Sequence, residues 1–128
     1  NAYIAREVGV SEGTVRRRLK QLLQDNVIHI VALPDPEKLG YGTEALVGIQ
    51  VDPDKIDDVA TSLTALTSAS LVAVTTGSFD LFTWVTLPSS EELGNFLKTA
   101  VGTISGVRRT ETFVTLSVRK RTHGLTLN

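Results

Sequence analysis

Residues 43–53 read Thr-Glu-Ala-Leu-Val-Gly-Ile-Gln-Val-Asp-Pro, and the change of pattern inside them decides the fold. Ala45 to Val51 is mostly apolar and rich in branched side chains, which predicts a strand. Asp52-Pro53 then predicts a helix start, a cap followed by proline at the first helical position, where a missing N–H costs nothing. Behind it Ile56, Val59, Ala60, Leu63 and Leu66 recur at helical spacing on one face. Leu71–Thr76 and Phe79–Leu87 predict two more strands, joined by a tight turn at Gly77-Ser78. Ser89 and Glu92 have capping-box spacing before a helix whose inner face is Leu93, Phe96, Leu97, Ala100 and Val101. Gly106 ends that helix, and Val107 to Val118 predicts a long last strand. The order βαββαβ is the split βαβ of ferredoxin-like folds. Both helices then cover one face of an antiparallel sheet, and the open face carries Phe82 or Trp84, depending on register. A face of that kind favours a partner, so dimerisation is expected.

Upstream the periodicity is helical. Residues 2–8 predict a short helix, with Asn1 as its cap and Ile4, Ala5 and Val8 on its apolar side. Gly9-Val10 breaks the pattern, and Ser11 restarts it as the cap of a second helix. Val15, Leu19 and Leu22 form that helix's buried stripe, and Val27 to Ala32 predicts a strand after it. Pro34, Pro36 and Gly40 mark a linker. The expected organisation of this α+β chain is therefore a helix-turn-helix unit at residues 1–32, a linker at 33–42 and a ferredoxin-like domain at 43–128.

Composition narrows the function classes. The 128 residues carry 13 Lys+Arg against 14 Asp+Glu, a net charge of −1 that argues against a polyanionic partner. The charge is uneven, however: residues 1–30 hold five basic and three acidic side chains. There is no cysteine, which excludes disulfides and thiolate metal sites. Apolar runs reach only about five residues, against the roughly twenty a bilayer span needs. No signal-peptide pattern opens the chain, and the cytoplasm is the expected compartment. His29 and His123 lack metal-ligand spacing and read as surface residues. With no phosphate loop, nucleophile elbow or paired-carboxylate motif, neither a cofactor nor an enzymatic activity is expected.

Three constellations remain. In the second helix Ser11, Gly13 and Thr14 lie at the amino end, where small residues permit close approach to base edges. Arg16, Arg17, Arg18, Lys20 and Gln21 follow on the outward side and supply charge for phosphates. The same run also suits a solvated helix face. The second constellation is Gly77, Ser78, Phe79 and Asp80. Asp is depleted in strands, so Asp80 either caps the turn or accepts a ligand ammonium. The third is Thr110 and Thr112, two residues apart and thus on one sheet face, able to offer two hydroxyls or simply to serve as good strand formers. Arg108 and Arg109 read as protection of an edge strand.

Together these features resemble the Lrp/AsnC (feast/famine) family of transcription regulators. The resemblance rests on Val8-Gly9-Val10-Ser11, Thr14-Val15, Arg18-Leu19, Leu22, Asn26-Val27-Ile28 and Leu39-Gly40. It continues through Val72–Thr76, Gly77, Asp80-Leu81 and Gly106-Val107, and ends at Thr110-Glu111-Thr112. It implies a partial winged helix-turn-helix that contacts double-stranded DNA through Ser11, Gly13, Thr14, Arg16, Arg17, Arg18, Lys20 and Gln21. It also implies an effector domain of the RAM type that pairs into dimers, which often assemble to octamers. An effector, usually an amino acid, would bind between such domains at Gly77, Ser78, Phe79, Asp80, Thr110 and Thr112. Relatives often have tyrosine at the position of Phe79, which bears on effector identity. They also carry a helix ahead of the segment at Asn1, so the chain is expected to lack the first helix of the DNA-binding unit. Two other readings follow from the same layout: a sensing module without competent DNA binding, and an enzyme like the related sirohaem decarboxylases.

Overall fold

The computed structural model describes residues 1–122, which fall into two units, Asn1–Leu33 and a second from Pro34 onward. The predicted histidine at position 123 lies outside the described residues.

The first unit contains α1 (Ala2–Val8) and α2 (Glu12–Gln24). Gly9 closes α1 at φ 72°, a left-handed conformation that residues with a Cβ resist. Asn1 stands at the cap position but makes no side-chain cap bond; its carbonyl accepts the Ala5 N–H at 2.9 Å. Ser11 behaves as its sequence predicts, accepting the Thr14 N–H on its hydroxyl at 3.1 Å. The predicted apolar faces are only partly covered: Ala5 and Val15 are buried, while Ile4, Val8 and Leu22 are exposed. The predicted strand at 27–32 does not form. Val27, Ile30 and Val31 are exposed, and none of these residues has a ladder partner among the described ones, without which an isolated strand is unstable.

The second unit is a four-stranded antiparallel sheet covered on one side by helices. Its strands are β1 (Thr43–Val51), β2 (Ala69–Val74), β3 (Leu81–Leu87) and β4 (Val107–Val114), in the spatial order β2-β3-β1-β4. The helices are α3 (Ile56–Thr64) and α4 (Ser90–Phe96). A single 3-10 turn, Pro53–Lys55, precedes α3, and a π-helical turn, Leu97–Val101, extends α4. Ser89 caps α4, accepting the Glu92 N–H at 3.2 Å. A further 3-10 turn, Glu37–Leu39, interrupts the proline-marked segment.

The core lies between sheet and helices. Ala45, Val47, Ile49 and Val51 of β1 and Leu81, Thr83, Val85 and Leu87 of β3 alternate into it and meet Val59, Leu63, Leu93 and Val101. The buried Thr83 hydroxyl donates to the Leu71 carbonyl at 2.7 Å, and among the described residues no buried side-chain polar atom is left unpaired. Register therefore sends both Phe82 and Trp84 to the other, helix-free face, paired with Gly48 and Leu46 of β1. Several strand limits depart from the sequence pattern: β1 starts two residues early, at Thr43, and β2 runs Ala69–Val74 rather than Leu71–Thr76. The two-residue turn at Gly77-Ser78 is a four-residue loop, 76–79, closed by the Thr75 N–H donating to the Asp80 carbonyl at 2.9 Å. β3 therefore starts at Leu81 rather than Phe79. β4 ends at Val114 rather than Val118, and the chain beyond it is held by a paired contact, Arg121 to both Glu44 carboxylate oxygens at 2.7 and 3.1 Å.

Candidate functional site

The face of α2 that carries the basic residues is organised from its cap outward. The Ser11 and Thr14 hydroxyls lie 2.9 Å apart, and Arg17 Nη2 donates to Thr14 Oγ1 at 3.1 Å. Arg16 pairs with Glu12 at 3.8 Å, one turn earlier, with both side chains more than half exposed. Gln21 Nε2 lies 3.0 and 2.9 Å from the two oxygens of Asp25, at the end of the helix. Arg18 and Lys20 are exposed, whereas Gly13 and Thr14 are half-buried. Arg17 and Lys20 thus share the outward face with Arg16 and Arg18 flanking it, and the small residues stand at its amino end. Such exposed pairs are weak and exchange readily for a phosphate.

The loop 76–79 sits where β3 leaves β1. Gly77, at φ 105°, bends it, and both Gly77 and Ser78 are exposed. Asp80 has the turn-capping role: its Oδ2 accepts the Val51 N–H at 2.9 Å, standing in for a strand carbonyl, while its own N–H donates to the Ile49 carbonyl at 2.9 Å. Removing that carboxylate would unpair the Val51 N–H, so substitution at Asp80 touches the fold as well as any ligand. Phe79 is buried, and its ring lies on the helix-free face. A Cβ added to Gly48 would stand 2.8 Å from the ring. Phe82 meets it edge-on at 5.6 Å between centroids, and the Arg109 guanidinium lies over it at 5.8 Å.

Thr110 and Thr112 share a face, as their spacing predicts, and both are half-buried. They pair with Ile49 and Val47, whose side chains enter the core, so this is the helix-covered face. The structure therefore brings Gly77, Ser78, Phe79 and Asp80 together in one loop. It sets the two threonines across the sheet from the Phe79 ring. Among the described residues no group of three His, Asp or Glu side chains could hold a metal.

Sequence reasoning passed over Gly48 and Gln50. A glycine inside an apolar strand is a signal of close approach, and here Phe79 fills the space its missing side chain leaves. Gln50 Nε2 donates to the Ser78 carbonyl at 2.8 Å. A lone glutamine in a strand carries no comparable signal.

The fold and these surfaces define a class: a helix-turn-helix with a basic second helix, joined to an antiparallel α+β domain. Comparison with known proteins makes the class specific. Residues 44–125 match the Lrp/AsnC ligand-binding domain, and residues 1–29 match a winged helix-turn-helix DNA-binding domain. An uncharacterized HTH-type transcriptional regulator of Pyrococcus furiosus is 40% identical over 118 residues, 91% of this chain and 80% of that protein. The structure of Escherichia coli AsnC superposes with a TM-score of 0.87 at 25% identity, covering 95% of this chain and 83% of the other. The feast or famine regulatory protein Rv3291c of Mycobacterium tuberculosis, complexed with L-methionine, superposes with a TM-score of 0.84 at 25% identity, covering 94% and 84%. The chain belongs to the Lrp/AsnC family of transcriptional regulators. Its relatives are regulators rather than enzymes, and among the described residues no helix is long and apolar enough to cross a membrane.

Proposed function

We propose that this regulator binds DNA sequence-specifically through α2 and responds to an amino acid held between the sheet domains of neighbouring copies. On DNA, Ser11, Gly13 and Thr14 face base edges, and Arg16, Arg17, Arg18, Lys20 and Gln21 serve the phosphates and groove walls. In the effector site the amides of loop 76–79 take the carboxylate, and Asp80 with a hydroxyl of Thr110 or Thr112 takes the ammonium or side chain. Phe79 borders this site from the sheet rather than lining it with a hydroxyl. The L-methionine complex of the mycobacterial relative supports an amino acid as effector. The cytoplasm, where DNA and free amino acids meet, is the setting that fits this role.

The single observation that carries the reading is the division of the candidate residues across one sheet. The Phe79 ring and the threonines lie on opposite faces of the same sheet. A ligand touching both kinds of group needs a second copy to supply one of them. Copies can pair through the helix-free face, where Leu71, Phe82, Trp84 and Phe113 leave apolar surface, and the ligand contact with a threonine then lies at a further interface between such pairs. Sedimentation velocity on the full chain tests this. The expected result is a dimer or a larger even-numbered assembly that Phe113→Glu shifts towards monomer. A wild-type chain that remains monomeric at micromolar concentration contradicts it.

A further inference from the structure

The loop 76–79 is held from the helix-free side by residues of two different strands. Gln50 of β1 donates its side-chain amide to the Ser78 carbonyl at 2.8 Å, and Arg109 of β4, its register partner, lies over the ring of Phe79. The first contact holds the carbonyl of the Ser78–Phe79 peptide, and the second holds the side chain that follows it. Among the described residues no peptide bond is cis, and in a planar trans peptide the C=O and N–H point in opposite directions. Fixing the Ser78 carbonyl toward Gln50 therefore fixes the Phe79 N–H away from it. Gly77 at φ 105°, the Thr75–Asp80 backbone bond and the Thr75 hydroxyl on the Phe79 carbonyl at 3.4 Å set the course of the loop, and the bond that holds the Ser78 carbonyl itself comes from Gln50, 28 residues away in sequence. Without a donor at position 50, the Ser78 carbonyl loses the side-chain bond that orients it.

We propose that Gln50 is a positioning residue of the effector site, one that presets the Phe79 N–H as a donor to the carboxylate of a bound α-amino acid. The inference rests on the amino-acid reading above and adds to it a residue outside the loop. Arg109 supports the same geometry by holding the aromatic ring down, so the peptide is anchored at its carbonyl and at the following side chain. The ligand class follows from the chemistry. A neutral N–H fixed before binding favours a carboxylate oxygen over the carbonyl of the corresponding amide, because charge-assisted bonds are the stronger ones.

The test uses the full chain with L-amino acids and, as matched probes, their carboxamides. The chain has four phenylalanines, so selective nitrogen-15 labelling of Phe gives a spectrum in which the Phe79 amide can be assigned and followed. With wild type, an amino acid that binds should move the Phe79 amide proton downfield and should bind more tightly than its carboxamide. Gln50→Leu and Gln50→Glu remove the donor, the first without adding charge. Each should weaken the acid by about tenfold while changing carboxamide affinity little, which erases the preference. A merely structural role for Gln50 would weaken both probes together. If wild type shows no acid-over-amide preference for any of the twenty amino acids, the carboxylate reading of the loop fails. If that preference is present but survives in both variants, or the Phe79 amide does not respond to a bound acid, the role of Gln50 is overturned. The wild-type amide measurement decides even if a variant fails to fold.

Discussion

The helical unit buries Ala5 and Val15 and leaves Tyr3, Ile4, Val8, Leu22, Val27, Ile30 and Val31 exposed, whereas in the sheet unit Val47, Ile49, Val59, Leu63, Leu81, Val85 and Val101 are wholly enclosed. The difference teaches that the two functions are built from different sources of order. Helix α2 owes its shape to local signals: a Ser11 cap, an acid in the first turn and a glycine ending the preceding helix. Its charged face needs no core behind it to be legible. The sheet unit owes its shape to side chains distant in sequence that exclude water together, and it holds the loop 76–79 with the rigidity of β1 and β3.

The contrast makes testable demands. Ile49→Ala should cost about 2–5 kcal/mol in urea unfolding, as fully enclosed isoleucines do. Leu22→Ala, at a residue 39% exposed, should cost under about 1 kcal/mol. Equal losses would break the comparison. Gly48→Ala forces a methyl against the Phe79 ring and should destabilise by about 1–3 kcal/mol. Most of that loss should disappear in the Gly48→Ala, Phe79→Leu double variant, and strict additivity would show that the two do not share the space. Arg17→Ala combined with Lys20→Ala should weaken DNA binding broadly across sequences. In fluorescence anisotropy the slope of log affinity against log salt should flatten by up to about 0.9 per lost phosphate contact. An unchanged slope would remove both residues from the interface. The smallest effect is expected at Ser11→Ala, about 1 kcal/mol, read as faster amide exchange in the first turn of α2 with the sheet amides unaltered.

Much of this was legible because it is periodic or punctuated. The alternation of β1, the faces of α3 and α4 and the caps at Ser11 and Ser89 follow from spacing and residue chemistry. The failures are of another kind. Val27–Ala32 has strand composition, but a strand exists only with a partner, which composition does not reveal. Gly77-Ser78 looks like a two-residue turn, yet Asp80 bonds to β1 and moves the closing pair outward to Thr75 and Asp80. That same long-range bond gives one Asp80 carboxylate oxygen a backbone partner in β1. Register, which no local pattern shows, puts Phe79 against Gly48 and separates it from Thr110 and Thr112. The loop of the candidate site was readable as a cluster of residue types; its orientation by Gln50 was not.

The most direct test of the central claim is a thermal-shift screen of the full chain against each of the twenty amino acids. Binding to the native sheet domain stabilises it by mass action, about 2.7 kcal/mol at one hundred times the dissociation constant. The account predicts that at least one amino acid raises the melting temperature by several degrees, in a concentration-dependent way, while its carboxamide does so far less. No shift with any of the twenty at millimolar concentration would contradict amino-acid sensing by this regulator.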